Sequence, residues 1–106
     1  MKNLIFVTIL ACISFMSNTV IAGDAAAGKT VYMQCQACHG ANGEGMQALK
    51  APKLAGQYAW SIESTLKKFK SGVRGKGDPE AATMVPFAMM LNDTQMADVA
   101  AYIETL

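Results

Sequence analysis

Cys35-Gln36-Ala37-Cys38-His39 constrains this chain more than any other feature. Two thiols separated by two residues, with an imidazole directly after the second, form the attachment pattern for a c-type haem. The thiols add across the two vinyl groups of one haem, and the short spacer on a helical turn sets their separation. The histidine offers a ring nitrogen to the iron as proximal ligand. A Cys-x-x-Cys also serves as a redox dithiol or as half of a zinc site. A dithiol needs no histidine after it and usually sits in a βαβ setting, which this sequence lacks. Zinc needs more ligands, and beyond this run the chain has one further cysteine, Cys12, and no further histidine.

The chain has 106 residues, enough for one small domain. Its first stretch reads as a secretory signal. Lys2 supplies a basic start, Leu4 to Met16 an apolar run, and Val20-Ile21-Ala22 small residues where a signal peptidase reads. The expectation is a signal peptide over 1–22 and a haem domain over 23–106. Two other readings stay open. The run could be retained as an anchor, although it is short of the ~20 residues that span a bilayer. Alternatively, Ile9-Leu10-Ala11-Cys12 could be lipidated at Cys12. Of the nine Lys and Arg, only Lys2 precedes Gly23, whereas all eight Asp and Glu follow it, so the polypeptide from Gly23 onward is neutral. Nothing in that balance suggests nucleic acid. A domain this small usually needs a staple. With Cys35 and Cys38 committed to haem, the haem itself must fill the core.

The pattern predicts an all-α domain without strands. Asp24 is a good N-cap for a helix running to about Cys35. Residues 40–57 carry many glycines and prolines and read as loop. Ile62, Leu66 and Phe69 recur at helical spacing within a second helix from Tyr58 to Ser71. Residues 72–83 again read as loop. A last helix begins near Asn92, with Gln95 placed for a capping box and Met96, Val99, Ala100 and Ile103 on one apolar stripe.

Several stretches, in this order, resemble class I cytochromes c, especially small bacterial monohaem forms and a single domain of cytochrome c4. They are Gly28-Lys29-Thr30-Val31-Tyr32 before the haem motif, Pro52-Lys53-Leu54-Ala55-Gly56-Gln57, Phe69-Lys70-Ser71-Gly72-Val73-Arg74, and Met84 followed by Leu91 and Ala100-Ala101-Tyr102. The resemblance implies three main helices around one covalently attached haem c. It also implies export to the periplasm, because bacterial c-type haem is attached outside the cytoplasmic membrane. By the same resemblance, Cys35, Cys38, His39, Pro52, Leu54 and Met84 bind the cofactor, with His39 and Met84 on the iron. The Pro52 carbonyl would accept a hydrogen bond from the His39 ring, and Leu54 would press on the proximal side. Pro52 can also be read as simple loop punctuation.

His39 is alone, so bis-histidine ligation within one chain is excluded; the distal ligand is sought among the methionines, with an open or non-methionine sixth position as the alternative. Most methionines are core filler. Met33 and Met96 lie on helices, and Met46 is too near His39 to reach the opposite face. Met84 sits before Pro86 in a stretch read as loop, whose backbone can aim a thioether. Met89 and Met90 stay open as alternatives. Gln57, Trp60 and Arg74 are candidates for the haem propionates. Gly28 reads as a place where the last helix crosses the first, through Tyr102.

The resulting expectation is a periplasmic electron carrier cycling iron between Fe(II) and Fe(III), not an enzyme and without a small-molecule substrate. Its partners would be redox proteins: a membrane oxidase, a bc1-type complex or a periplasmic reductase. The alternative is the haem subunit of an oxidoreductase complex such as a flavocytochrome. Lys67, Lys68, Lys70, Arg74 and Lys76, with no acidic residue between Leu66 and Gly77, form either a docking patch or an ordinary solvated face.

Overall fold

The computed structural model of the chain describes residues 23–106. The expected signal segment over 1–22, with Cys12, lies outside the described residues. Six helices follow in order: α1 Ala25–Tyr32, α2 Gln36–His39, α3 Ala59–Lys70, α4 Pro79–Ala82, α5 Val85–Met89 and α6 Asp93–Glu104, with a 3-10 turn at Gln47–Leu49. Among the described residues there is no strand, only an isolated bridge between Met46 and Ala51. No helix among them is long and apolar enough to cross a membrane.

The ends of the long helices follow from their side chains. The Asp24 carboxylate accepts from the backbone N–H groups of Ala26 and Ala27, at 2.9 and 3.3 Å. In α6 the Asn92 side chain accepts from Gln95 N at 2.8 Å, and the Gln95 side chain accepts in return from Asn92 N at 3.0 Å. This reciprocal box satisfies two otherwise orphaned donors. Helix α3 has no cap of its own, since Tyr58 provides no side-chain acceptor. A carboxylate oxygen of Glu104, at the far end of α6, takes the Ala59 N–H instead. A negative charge there also suits the positive end of the helix dipole.

Helix α1 lies across α6, and α3 packs on α6 and α5. Gly28 makes the first crossing possible. A Cβ at that position would sit 1.9 Å from the Asp98 carbonyl oxygen, so the backbones touch there. The close approach expected through Tyr102 is therefore made by the Asp98–Val99 backbone, while Tyr102 meets the ring of Tyr32 nearby, centroids 5.3 Å apart. The apolar stripe of α6 is buried as expected: Met96, Val99, Ala100 and Ile103 join Tyr32, Ile62 and Leu91 in one core. Burying a large apolar side chain of this kind is worth about 1.5–3 kcal/mol each.

The first and third segments differ from the sequence-based expectation. Helix α1 stops at Tyr32, and a turn at Met33–Cys35 leads into the separate one-turn helix α2. The stretch 72–83 is not loop throughout. Asp78 accepts from Glu80 N and Ala81 N, and Pro79 occupies the first turn, so α4 forms. Pro86 then interrupts what would be one helix from Pro79 to Met89. It has no N–H for the Ala82 carbonyl, and its ring would clash there. The chain breaks at Thr83–Met84 and restarts as α5.

Candidate functional site

The turn from Cys35 to His39 carries three reactive side chains. Cys38 N and His39 N both donate to the Cys35 carbonyl, at 3.3 and 2.9 Å. That hydrogen bonding holds Cys35 and Cys38 three positions apart on one helical turn, hence on neighbouring ground. Both thiols are free and half-buried. Burial, and next the charge of Cys38, push the Cys35 thiol up to about 11, so at neutral pH it is protonated.

His39 is buried, at 4% exposure, and its Nδ1 lies 2.8 Å from the Pro52 carbonyl oxygen. A carbonyl only accepts, so Nδ1 carries the hydrogen and Nε2 keeps its lone pair. The ring is thereby fixed in one tautomer, with Nε2 free of any hydrogen bond among the described residues. A second-sphere carbonyl of this kind orients an imidazole ligand and raises its basicity.

The Pro52 carbonyl reaches His39 through a folded-back loop. Gly45 N donates to the His39 carbonyl at 2.7 Å, and Met46 and Ala51 exchange backbone hydrogen bonds at 2.9 and 3.1 Å. Lys50, at φ 54, closes the short loop between them. A Cβ on Gly45 would lie 2.8 Å from Lys53 N, so only glycine lets residues 52–53 fold this close to it. Leu54 N donates to the Gly43 carbonyl at 2.8 Å, and the Leu54 side chain packs against the core cluster.

Met84 belongs to another segment. It is the half-buried residue that opens α5, with helical backbone angles rather than those of an irregular loop. Lys50 ties that segment to the 46–51 loop through an ion pair with Glu80, Nζ to Oε1 2.6 Å. Met89 and Met90 are exposed, at 62% and 66%, whereas Met96 is fully buried in the core. Met33 and Met46 are also exposed.

The three candidates for propionate contacts have protein partners. Gln57 Nε2 donates to the Lys53 carbonyl at 2.8 Å, Trp60 stacks on Tyr58, and the Arg74 guanidinium lies 4.9 Å over the ring of Phe69. Sequence reasoning missed two residues that shape the site. Gly45 looked like one loop breaker among many, and Tyr32, whose hydroxyl donates to the Gly40 carbonyl at 2.5 Å, showed only its helical position.

Two free thiols on one turn, a buried imidazole with a fixed tautomer and an open nitrogen, and thioethers elsewhere form a donor set that fits a covalently bound haem. The comparisons with known proteins agree. The family model described as Cytochrome c matches residues 25–106. Cytochrome c-554(547) of Halothiobacillus neapolitanus is 47% identical over 94 residues, covering 80% of this chain and 99% of that protein. Cytochrome c-554(548) of Halomonas halodenitrificans is 46% identical over 81 residues, covering 76% of this chain and 94% of that protein. The crystal structure of reduced recombinant cytochrome c4 from Pseudomonas stutzeri superposes with a TM-score of 0.66 at 28% identity, over 80% of this chain. The chain spans about half of that structure, 52% of its length.

Proposed function

The chain belongs to the cytochrome c family of electron carriers, which hold haem c covalently, and from that premise we propose that it is a periplasmic one-electron carrier in which His39 and Met84 would hold the iron of a single haem. The observation that carries the reading is the 2.8 Å contact between His39 Nδ1 and the Pro52 carbonyl, beside two free thiols. When bound, the haem supplies one-electron exchange at its iron. The chain's own residues do the rest. Cys35 and Cys38 anchor the group, and His39 presents Nε2 from a ring that Pro52 holds in place. Leu54 would pack against the group, and the Met84 thioether, a soft donor, would favour the reduced state and raise the potential.

Export of a domain over 23–106 after removal of 1–22 is part of this proposal and rests on the basic, apolar and small-residue order of the leader. Members of the family work with redox partner proteins; for this chain a membrane oxidase, a bc1-type complex or a periplasmic reductase suits an exported carrier.

The test is made on protein purified from the periplasm. Haem should remain with the polypeptide after acid-acetone extraction, and the mass should equal residues 23–106 plus one haem. The ferrous protein should be low-spin and unreactive toward carbon monoxide. Freely extracted haem would sink the covalent assignment, and ready binding of carbon monoxide would sink the six-coordinate carrier.

A further inference from the structure

We propose that Tyr32 is a positioning residue for the His39 imidazole, acting through the hydrogen bond from its hydroxyl to the carbonyl of Gly40. The inference rests on the reading of His39 as proximal ligand and adds what holds that ligand to the rest of the fold.

Tyr32 ends α1 and is 2% exposed, packed in the core formed with α6 and tilted against the ring of Tyr102. A buried phenol hydroxyl needs a partner. Here the partner is a peptide carbonyl directly after His39, at 2.5 Å. Burial first, then the nearby Cys35 and Glu44, push the tyrosine pKa above its ordinary value, so the hydroxyl remains a donor.

The hydrogen bonds that His39 itself makes stay close to it in the chain. Its N–H goes to Cys35, its carbonyl takes Gly45 N, and its ring donates to Pro52. The Gly40 carbonyl also takes Gly43 N at 3.2 Å. These partners lie in the turn that starts at Cys35 or in the loop that follows α2; the turn is held to α1 through backbone, Cys35 N donating to the Tyr32 carbonyl at 2.8 Å, whereas the Tyr32 hydroxyl is a side-chain bond from α1 to the loop itself. Helix α2 has four residues, too short to be rigid alone. Tyr32 connects this loop to the packed α1–α6 crossing through a side chain that cannot move without disturbing the core. The separation between the His39 ring and the Pro52 carbonyl is thereby referred to a rigid frame.

A tighter Nδ1–H···O bond makes the imidazole a better donor and favours Fe(III). Loosening the Gly40 peptide weakens that bond, so it raises the potential. In the holoprotein, Tyr32→Phe keeps the ring and its packing but removes the hydroxyl. It should retain covalent haem and the axial spectrum, while the His39 ring Nδ1–H exchanges with solvent severalfold faster by NMR and the midpoint potential rises. Tyr102→Phe is the comparator, because it alters the other ring of the pair without touching Gly40. It should leave both readings at their wild-type values. If Tyr32→Phe fails to mature, 3-fluorotyrosine at position 32 keeps the ring and gives a stronger donor; exchange should then slow and the potential fall. The proposal is overturned if the change at position 32 leaves both readings alone, or if Tyr102→Phe moves them equally, as general loosening of the core would. A wild-type holoprotein without an imidazole-ligated low-spin spectrum would sink the ligand reading instead.

Discussion

Cys35, Cys38 and His39 lie within one turn, so the haem attachment proposed for them is local and their spacing alone makes it readable. Met84 is different, because the role proposed for it depends on a segment distant in the chain from that turn. The proposal for Met84 rests on the resemblance and on Pro86 two residues on. The break that Pro86 forces in the helix from Pro79 to Met89 falls at Thr83–Met84, so this methionine sits at a junction between helices. On this reading Met84→Ala abolishes the weak red charge-transfer band of the oxidised protein, opens the iron to carbon monoxide and lowers the potential. Met89→Leu and Met90→Leu keep the band. Absorption spectra of the three variants decide it, and loss of the band in either leucine variant would move the ligand down the chain. The Pro52 partnership of His39 was legible only through the resemblance. It spans 13 positions and depends on Gly45, whose role is the missing Cβ rather than any group it carries.

Among the elements, α6 was the most legible, because Asn92 and Gln95 mark its start and four apolar residues mark its inner face. Helix α1 was legible at its start, where Asp24 caps it, and less so at its end. No glycine or proline separates Tyr32 from Cys35; the helix ends by tightening to i→i−3 hydrogen bonds, from Met33, Gln34 and Cys35 to Thr30, Val31 and Tyr32, which no residue type in that stretch marks. Helix α4 was read as loop because Gly75, Gly77 and Pro79 dominate the stretch, although Asp78-Pro79-Glu80 is itself a helix start. The crossing of α1 and α6 supports a quantitative prediction. Gly28→Ala must push apart two helices whose backbones touch, since the new Cβ would meet the Asp98 carbonyl at 1.9 Å. Overpacking of this kind costs about 1–3 kcal/mol, and rigid backbone on the far side puts the cost near the upper end. At ~4–8 °C per kcal/mol for a domain of this size, Tm should fall by more than about 10 °C. Thermal unfolding of the holoprotein followed by far-UV circular dichroism measures it, and a shift under about 3 °C would mean that the helices separate at little cost.

At the scale of the whole molecule the basic stretch is the feature that sequence reading left undecided, and the structure divides it. Lys67 holds Glu63 at 2.8 Å, and that hydrogen bond, with the carboxylate's charge, raises its pKa. Lys70 reaches back to the Leu91 carbonyl at 2.5 Å, where it meets one of the acceptors left open after α5. These two lysines are engaged within the fold. Lys68 and Lys76 are exposed and carry no ion pair among the described residues, and Arg74 lies over Phe69. Charge left free in this way attracts an acidic partner over a distance set by screening, about 8 Å at physiological salt. If these groups steer docking, the double reversal Lys68→Glu with Lys76→Glu should lower the rate at which reduced protein is oxidised by membranes of the source organism. The loss should be about tenfold at low ionic strength and vanish toward 0.5 M salt, the signature of steering rather than of a damaged fold. Lys67→Gln serves as the comparison, because it removes a charge already matched by Glu63 and should change the rate much less. An unchanged rate for the double reversal at low salt would make the stretch an ordinary solvated face.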